Sequence, residues 1–272
     1  GSFTCLPETL QHRLLSTVHA HVSAGKIDSI RLSTRPDCIS DDTCMFLMDF
    51  GVATVELGVQ SMNDGVLERA KRGHGVESVR HAAARVKKNG LQLGIQLMVG
   101  LPGESTVSFL KGVRETVEIG PDFVRLYPAV VLRDTGLARL YRESGWKPLS
   151  MNRTITLTRK ARSLLLESGV QVIRMGLQHS QELAGQILAG PYHPSFGEFV
   201  IARDWYLKAR EVLAGAPAGA KVTMSLAAGD YSAFVGPSKN NLNRLRQLFP
   251  GKQLVLKTDK TLARFQYRYA CN

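Results

Sequence analysis

Two stretches of the chain alternate apolar and polar residues with a period of two, which indicates β-strands. Residues 53–60 place Val and Leu on one face and Glu, Gly and Gln on the other. Residues 91–99 repeat the pattern with Leu, Ile and Val opposite Gln, Gly and Met. A strand inside a parallel sheet is usually apolar on both faces. The pattern therefore predicts either a barrel wall around a ligand cavity or amphipathic strands whose polar face meets water.

Strand and helix patterns alternate over the first two-thirds of the chain. Strands are predicted at Ile27–Arg35, Ala53–Gln60, Leu91–Val99, Phe123–Pro128 and Val170–Met175. The predicted helices between and around them include Glu8–Ala24, Val76–Lys88, Gly136–Ser144 and Thr156–Ser168, with further helices after Ser40, Asn63 and Ser105. Such βα units build a parallel sheet or barrel, whose functional groups lie at the carboxyl ends of the strands. Four side chains are predicted there: Arg35, Gln60, Gln96 and Tyr127.

The composition changes after about residue 185, where a turn-rich connector begins. A helix is predicted at Glu198–Leu213 and another at Lys239–Phe249. Strands are predicted at Lys221–Ser225, Gln253–Thr258 and Arg264–Tyr269. We therefore expect a barrel part over residues 1–185 and a small, basic α/β appendage over residues 186–272.

The chain carries a formal charge of +12, with 44% hydrophobic and 21% charged residues. This composition is typical of a globular protein. The charge favours an anionic partner such as RNA, a phosphate or an acidic cofactor, with general solubility as the alternative. No apolar run approaches membrane-spanning length and no signal-peptide pattern is found, so a cytoplasmic protein is expected.

The cysteines and histidines show no metal-binding spacing. The four cysteines are Cys5, Cys38, Cys44 and Cys271. None forms a CxxC pair, so we predict neither a disulfide framework nor a metal site, as in a reducing cytoplasm. The histidines considered as ligands are His74, His179 and His193, and each is interpreted as a capping or loop residue.

Four short strings occur in an order and at a spacing that resemble a known family. They are Ser33–Asp37, Glu56–Ser61, Arg72–His74 and Gln96–Gly103. Together they resemble the radical S-adenosylmethionine (SAM) superfamily, in the branch of the Elongator catalytic subunit and the oxygen-independent coproporphyrinogen oxidase-like proteins. The resemblance covers residues 1–129 well and the remainder loosely.

The resemblance implies an α/β fold, a partial (β/α)6 TIM-like barrel lacking its first two strands, with a small C-terminal α/β domain. It also implies an oxidoreductase-type enzyme in which SAM and a [4Fe–4S] cluster generate a 5′-deoxyadenosyl radical. Three cysteines near the N-terminus hold the cluster in such proteins. Gly1–Thr4 resembles the end of the family's turn after the second strand. We therefore expect the sequence to begin beyond the cluster loop, and the chain as given to contain no iron.

Individual positions take cofactor roles from the resemblance. Gln60 matches a residue that contacts the ribose of SAM, and Arg72 matches an arginine that approaches its carboxylate. Gln96 stands where the oxidase group has Asp, which implies a ribose contact through the amide. Each could instead be a satisfied lumen residue without a ligand.

The remaining cofactor positions follow from the same strings. Met98 is expected against the adenine, and Tyr127 and Ala129 lie on the strand whose backbone pairs with it. Three further positions complete the expected set: Gly1, Ser33 and Arg35. Ser33 occupies a position that is Glu in the oxidase group, which argues against that reaction. No catalytic residue and no metal ligand are assigned.

Four arginines are predicted to face the lumen: Arg31, Arg35, Arg125 and Arg174. They form either a cationic lumen for an anionic substrate or ion pairs with Glu56 and other acids. The aromatic residues of the basic C-terminal part present the same kind of choice, between stacking surfaces for nucleic acid and an ordinary core. These are Tyr231, Phe265, Tyr267 and Tyr269.

Two functions therefore remain open from the sequence. In the first, the parent protein is a radical SAM enzyme with an unknown substrate, for which tRNA is one candidate. In the second, the polypeptide is a cofactor-less barrel fragment or a module that binds anions or RNA without activity of its own. No membrane association is expected, and fold alone does not choose between the two functions.

Overall fold

The computed structural model describes residues 2–272, so the predicted role of Gly1 lies outside the described residues. The chain forms two compact units, one ending at Pro194 and the other running from Ser195 to Asn272. The predicted boundary after residue 185 stays a prediction.

The first unit alternates helices and strands. Its elements are α1 (Glu8–Ser23), β1 (Ile30–Thr34), α2 (Asp41–Asp49), β2 (Val52–Gln60), α3 (Asp64–Arg69), α4 (Val76–Lys88), β3 (Gln92–Val99), α5 (Thr106–Ile119), β4 (Phe123–Pro128), β5 (Val131–Leu132), α6 (Gly136–Glu143), α7 (Met151–Glu167), β6 (Gln171–Met175), α8 (Gln181–Gln186) and β7 (Ile187–Ala189). The chain thus belongs to the α/β class, as predicted.

Five of these strands form one sheet in the order β1-β2-β3-β4-β6, and every neighbouring pair is parallel. The parallel arrangement expected from the succession of βα units is confirmed. The apolar face of the sheet is closed by helices, and Leu57, Leu93, Ile95 and Leu126 are all fully buried there. The same alternation that buries these side chains directs the Glu, Gln and Arg side chains to the other face.

Several element bounds differ from the predictions for local reasons. The first strand begins at Ile30 rather than Ile27, because the backbone from Gly25 (φ +65°) still forms the turn that ends α1. Helix α7 begins at Met151 rather than Thr156, because Ser150 caps it by accepting from the Arg153 amide. The sequence pattern did not predict α8 or the antiparallel strand pair β5–β7. These elements span only two to six residues each, which is too short for a periodic pattern to be recognised.

The second unit is a small α/β structure, as expected. It contains α9 (Phe196–Gly215), β8 (Lys221–Leu226), α10 (Tyr231–Val235), α11 (Asn240–Leu248), β9 (Gln253–Thr258) and β10 (Tyr267–Cys271). The strands form a sheet in the order β10-β8-β9, in which β8 and β9 are parallel and β10 is antiparallel to β8. Trp205, Leu213, Met224 and Phe234 form the centre of its core.

The last strand spans Tyr267–Cys271, so the predicted strand Arg264–Tyr269 was wrong in its bounds. The segment before Tyr267 instead wraps around the fully buried carboxylate of Asp230. Arg264 Nε donates to Asp230 Oδ1 at 2.6 Å, and the Phe265 amide donates to Oδ2 at 2.6 Å. Tyr267 packs edge-on against Trp205 in the core, whereas the side chain of Tyr269 is 58% exposed. Tyr267 therefore packs against the hydrophobic core and does not form a stacking surface for nucleic acid.

A disulfide between Cys5 and Cys38 corrects the expectation that the chain has none. The two residues lie in short 3₁₀ turns, Phe3–Cys5 and Pro36–Cys38, whose Cα atoms approach to 5.5 Å. The Thr4 amide donates to Thr34 Oγ1, which anchors the first turn on the end of β1. A separation of 33 residues gives no local signature of such a pair.

No helix within residues 2–272 is both long and apolar enough to cross a membrane.

Reducing the Cys5–Cys38 bond should lower the free energy of unfolding of the first unit by about 3–4 kcal/mol, because the bond closes a loop of this length in the unfolded chain. Urea unfolding of Cys38→Ser and of the wild type measures the difference. Cys271→Ser is the control, since Cys271 is free and exposed. The denatured, unreduced wild type should show free thiols only from Cys44 and Cys271. A full set of four free thiols would contradict the bond.

Candidate functional site

The polar face of the five-stranded sheet is organised around the buried carboxylate of Glu56, which is 2% exposed. Arg31 Nε lies 2.6 Å and Arg125 Nη2 3.0 Å from Glu56 Oε1. Gln96 Nε2 donates to Glu56 Oε2 at 2.9 Å and to Ser33 Oγ at 3.1 Å. These residues come from β1, β2, β3 and β4. One carboxylate thus joins four adjacent strands.

The lumen arginines have partners, so the ion-pair interpretation holds for most of them. Arg31 and Arg125 share Glu56, and Arg125 Nη1 also donates to the Tyr127 hydroxyl at 3.2 Å. Arg174 Nη1 donates to an amide oxygen, Gln178 Oε1, at 3.3 Å. The polar face between these strands therefore pairs two arginines with one carboxylate, which offsets part of its positive charge.

Arg35 leaves the sheet and binds the loop that follows β1. It donates to both carboxylate oxygens of Asp37, at 2.9 and 2.6 Å, and to the Gly73 carbonyl at 3.3 Å. The hydrogen bond to Asp37 raises the pKa of Arg35. Burial acts to raise the pKa of Asp37, but the hydrogen bond from Arg35 and nearby charges bring it below its usual value. Arg35 therefore ties the end of β1 to the loop that carries Arg72.

Gln60 ends β2 in a strained backbone conformation, with φ at +69°. The Ser61 amide donates to the Val59 carbonyl at 2.9 Å, so Gln60 is the centre of a three-residue turn. A non-glycine residue in such a turn costs free energy and persists only where its surroundings hold it. The side chain folds back over Gly58, where a Cβ atom would lie only 2.9 Å from Gln60 Nε2. Gly58 therefore leaves the space that the Gln60 amide occupies on the polar face.

His74 holds one side of this turn. Its Nε2 atom lies 3.2 Å from the Val59 carbonyl oxygen, which only accepts, so Nε2 carries the proton. Burial lowers the pKa of His74 and keeps the ring neutral. Its Nδ1 atom is then an acceptor, and it is buried without a hydrogen-bond partner among the described residues. His74 lies in the loop before α4, as predicted, but its role there is to fix the carbonyl beside Gln60.

Glu104 holds the other side of the turn, and the sequence analysis assigned it no function. The Ser61 hydroxyl donates to Glu104 Oε1 at 2.7 Å. Burial raises the pKa of Glu104 to about 7, although the bond from Ser61 and the amides of Gly100 and Leu101 favour the charged form. The signal that could have found it is its place at the end of the Leu-Pro-Gly-Glu string, directly after a strand on the same sheet edge as Gln60.

The remaining predicted residues fall into two groups. Ser33 and Gln96 belong to the Glu56 network, and Tyr127 joins it through Arg125. Arg72 and Met98 instead line a cavity of about 350 Å³. Burial, and to a lesser degree the nearby Arg35, lowers the pKa of Arg72, and its Nε atom is buried without a partner among the described residues.

Ala129 continues the sheet beyond β4, because its amide donates to the Val99 carbonyl at 3.0 Å. That amide is therefore already paired within the protein. Within residues 2–272, no three His, Cys, Asp or Glu side chains are grouped as ligands for a metal ion.

Comparison with known families finds two matches along the chain. Residues 1–114 match the radical SAM superfamily, and residues 121–205 match the radical SAM C-terminal domain. The chain is 32% identical over 137 residues to a tRNA uridine(34) acetyltransferase of Methanocaldococcus jannaschii, covering 49% of this chain and 25% of that protein.

Two solved structures share the fold. One is the archaeal Methanocaldococcus infernus Elp3 with an N-terminal deletion, with a TM-score of 0.58 and 28% identity over 66% of this chain and 42% of that chain. The other is coproporphyrinogen III oxidase (HemN) from Escherichia coli, a radical SAM enzyme, with a TM-score of 0.54 and 20% identity over 76% of this chain and 44% of that chain. The second likeness concerns the fold alone. This chain spans less than half the length of each of these proteins.

Replacing Glu104 by Gln should change how stability depends on pH. The pKa of the Glu104 carboxyl is about 7 in the folded state, against an ordinary value of 4.5. The protonated carboxyl therefore stabilises the fold below pH 4.5, and this contribution is lost as the pH rises through 7. Glu104→Gln has no such titration. Between pH 4.5 and 8 the free energy of unfolding of Glu104→Gln should therefore gain about 3 kcal/mol relative to the wild type.

Urea unfolding at several pH values measures this difference. Glu68→Gln, at an exposed position in α3, is the matched control and should show no such trend. A constant difference between Glu104→Gln and the wild type across this pH range would show that the carboxyl is not buried as described.

Proposed function

We propose that this chain, which belongs to the radical SAM superfamily, forms the SAM-binding part of a radical SAM enzyme. The observation that carries the proposal is the strained turn at Gln60, held from both sides by His74 and Glu104. Strain that the surroundings maintain at a strand end is characteristic of a preorganised ligand site. The turn lies at the carboxyl edge of a parallel sheet, where α/β enzymes bind their ligands.

In this proposal the side chains assigned to SAM carry chemical groups that suit its ribose, carboxylate and adenine. In this proposal Gln60 offers an amide to the ribose, Arg72 offers a guanidinium to the carboxylate, and Met98 offers an apolar, polarisable surface to the adenine. Tyr127 and Ala129 line the adenine side, where the backbone amide of Ala129 is already used within the sheet. When bound with a reduced cluster, SAM supplies the radical chemistry of the superfamily.

Gln96, Ser33 and Arg35 have a different part in the proposal. Gln96 and Ser33 are bound to each other, and Gln96 also to Glu56, so they shape the wall behind the ligand and offer it their remaining lone pairs. Arg35 positions the loop that presents Arg72, through the Gly73 carbonyl.

For the substrate we propose tRNA. The charge of +12 and the similarity to the tRNA uridine(34) acetyltransferase of Methanocaldococcus jannaschii support it. In the second unit, some basic residues are used within the fold: Arg264 binds Asp230, and Lys252 donates to the Leu213 and Ala216 carbonyls. Others are exposed and make no ion pair among the described residues, and these are Lys221, Lys239, Arg246, Lys257 and Lys260. In this proposal these five exposed cations contact the phosphate groups of the tRNA.

The test uses the full-length protein, reconstituted with iron and sulfide without oxygen. It should cleave SAM to 5′-deoxyadenosine and methionine under reducing conditions. Gln60→Ala and Arg72→Ala should each weaken SAM binding by about 1–3 kcal/mol, the usual cost of losing a charged or buried hydrogen-bond partner. Calorimetric titration with SAM measures the affinity.

Gln171→Ala is the matched control, because Gln171 is an exposed glutamine at the opposite, amino end of β6. Unchanged affinity in both Gln60→Ala and Arg72→Ala would rule out their roles. Adding tRNA should increase 5′-deoxyadenosine formation. Binding of tRNA without any cleavage of SAM would favour the alternative of an RNA-binding module.

A further inference from the structure

The cavity that contains Arg72 and Met98 has a lining that the sequence did not predict. Its volume is about 350 Å³, and its wall is built from three places in the first unit. These are the segment Arg69–Arg72, the end of β3 with the following Leu101, and the first two turns of α6 with the preceding Thr135. Helix α6 therefore closes a space beside the carboxyl edge of the sheet.

The charge of this lining is strongly unbalanced. Four cations line the cavity, Arg69, Lys71, Arg72 and Arg139, against a single carboxylate, Glu143. None of the four cations makes an ion pair with any described residue, whereas Arg31 and Arg125 both pair with Glu56. A cleft lined by charges of one sign raises the local concentration of the opposite ion.

Two further features concentrate this positive potential. Apolar side chains share the lining with the cations: Leu101, Leu137, Leu140 and Met98. Helix α6 begins at the cavity, with Gly136 at its first position and Thr135 as its cap, so the positive end of the helix dipole adds to the side-chain charges. Within residues 2–272, the buried Nε atom of Arg72 has no hydrogen-bond partner.

This lining does not match SAM as a whole. At neutral pH SAM carries a sulfonium and an ammonium group against one carboxylate, so its net charge has the same sign as the cavity. A phosphoryl group instead carries up to two negative charges and three acceptor oxygens, which suit several guanidinium groups at once. A single carboxylate would neutralise only one of the four cations.

We infer that this cavity binds the phosphoryl group of a small phosphorylated ligand, at a site that adjoins the proposed SAM site and shares Arg72 and Met98 with it. Arg139 comes from α6, whereas Lys71 and Arg72 come from the segment Arg69–Arg72, so two separate parts of the lining supply cations. The inference rests on the cavity and its charges, and it does not require that the protein cleave SAM.

The test is calorimetric titration of the full chain at low salt, without SAM or iron, using pyrophosphate and adenosine 5′-monophosphate as probes. We expect both to bind. Arg139→Gln and Lys71→Gln should each weaken binding about tenfold or more, since each removes a charged contact. Both side chains are exposed, so neither substitution should disturb folding.

Arg142→Gln is the matched control, because Arg142 lies on the same helix and carries the same charge but does not line the cavity. Its affinity should stay within about twofold of the wild type, as expected for a charge that makes no direct contact. An equal loss in Arg142→Gln would overturn the inference in favour of diffuse surface attraction. Failure of both probes to bind, or equally tight binding of citrate, would also overturn it.

Discussion

The carboxylate of Glu56 is the constraint on which the rest of the first unit depends. It is buried on the polar face of the sheet and held by Arg31, Arg125 and Gln96, from the three strands around it. A buried charge is tolerated only when its partners are in place, and removing one of them typically costs about 3–5 kcal/mol. The network therefore fixes where the four strands stand relative to one another, and with them the position of the strand ends.

The Gln60 turn depends on that placement. It lies at the end of the strand that carries Glu56, and both groups that hold it come from elsewhere in the fold. His74 approaches from the loop before α4, and Glu104 approaches from the turn after β3. The strain in the turn can persist because these two elements are fixed by the sheet beneath them. Arg35 extends the same control to the loop of Arg72, so one polar core positions the residues proposed for SAM.

The sequence could predict what repeats locally and could not predict what the fold brings together. The period of two along β2 and β3 predicted these strands and the side to which Glu56 and Gln96 point, and the succession of βα units predicted the parallel arrangement. The choice between a cationic lumen and ion pairs needed distances, because Arg31 and Arg125 converge on one carboxylate only in the folded sheet. The Cys5–Cys38 bond, the burial of Glu104 and the closure of the cationic cavity by α6 also join distant segments. The end of the last strand was misjudged because the buried Asp230 draws Arg264 and Phe265 away from it.

The most direct test of this account is hydrogen–deuterium exchange, followed by mass spectrometry, on the wild type and Glu56→Gln. If the Glu56 network holds the strand ends, the substitution should speed amide exchange in β1 to β4 and in residues 59–61. Exchange in β8 to β10 of the second unit should stay unchanged. Glu115→Gln is the control, since Glu115 pairs with Arg80 outside this network. Unchanged protection of residues 59–61 in Glu56→Gln would contradict the claim that this carboxylate organises the site.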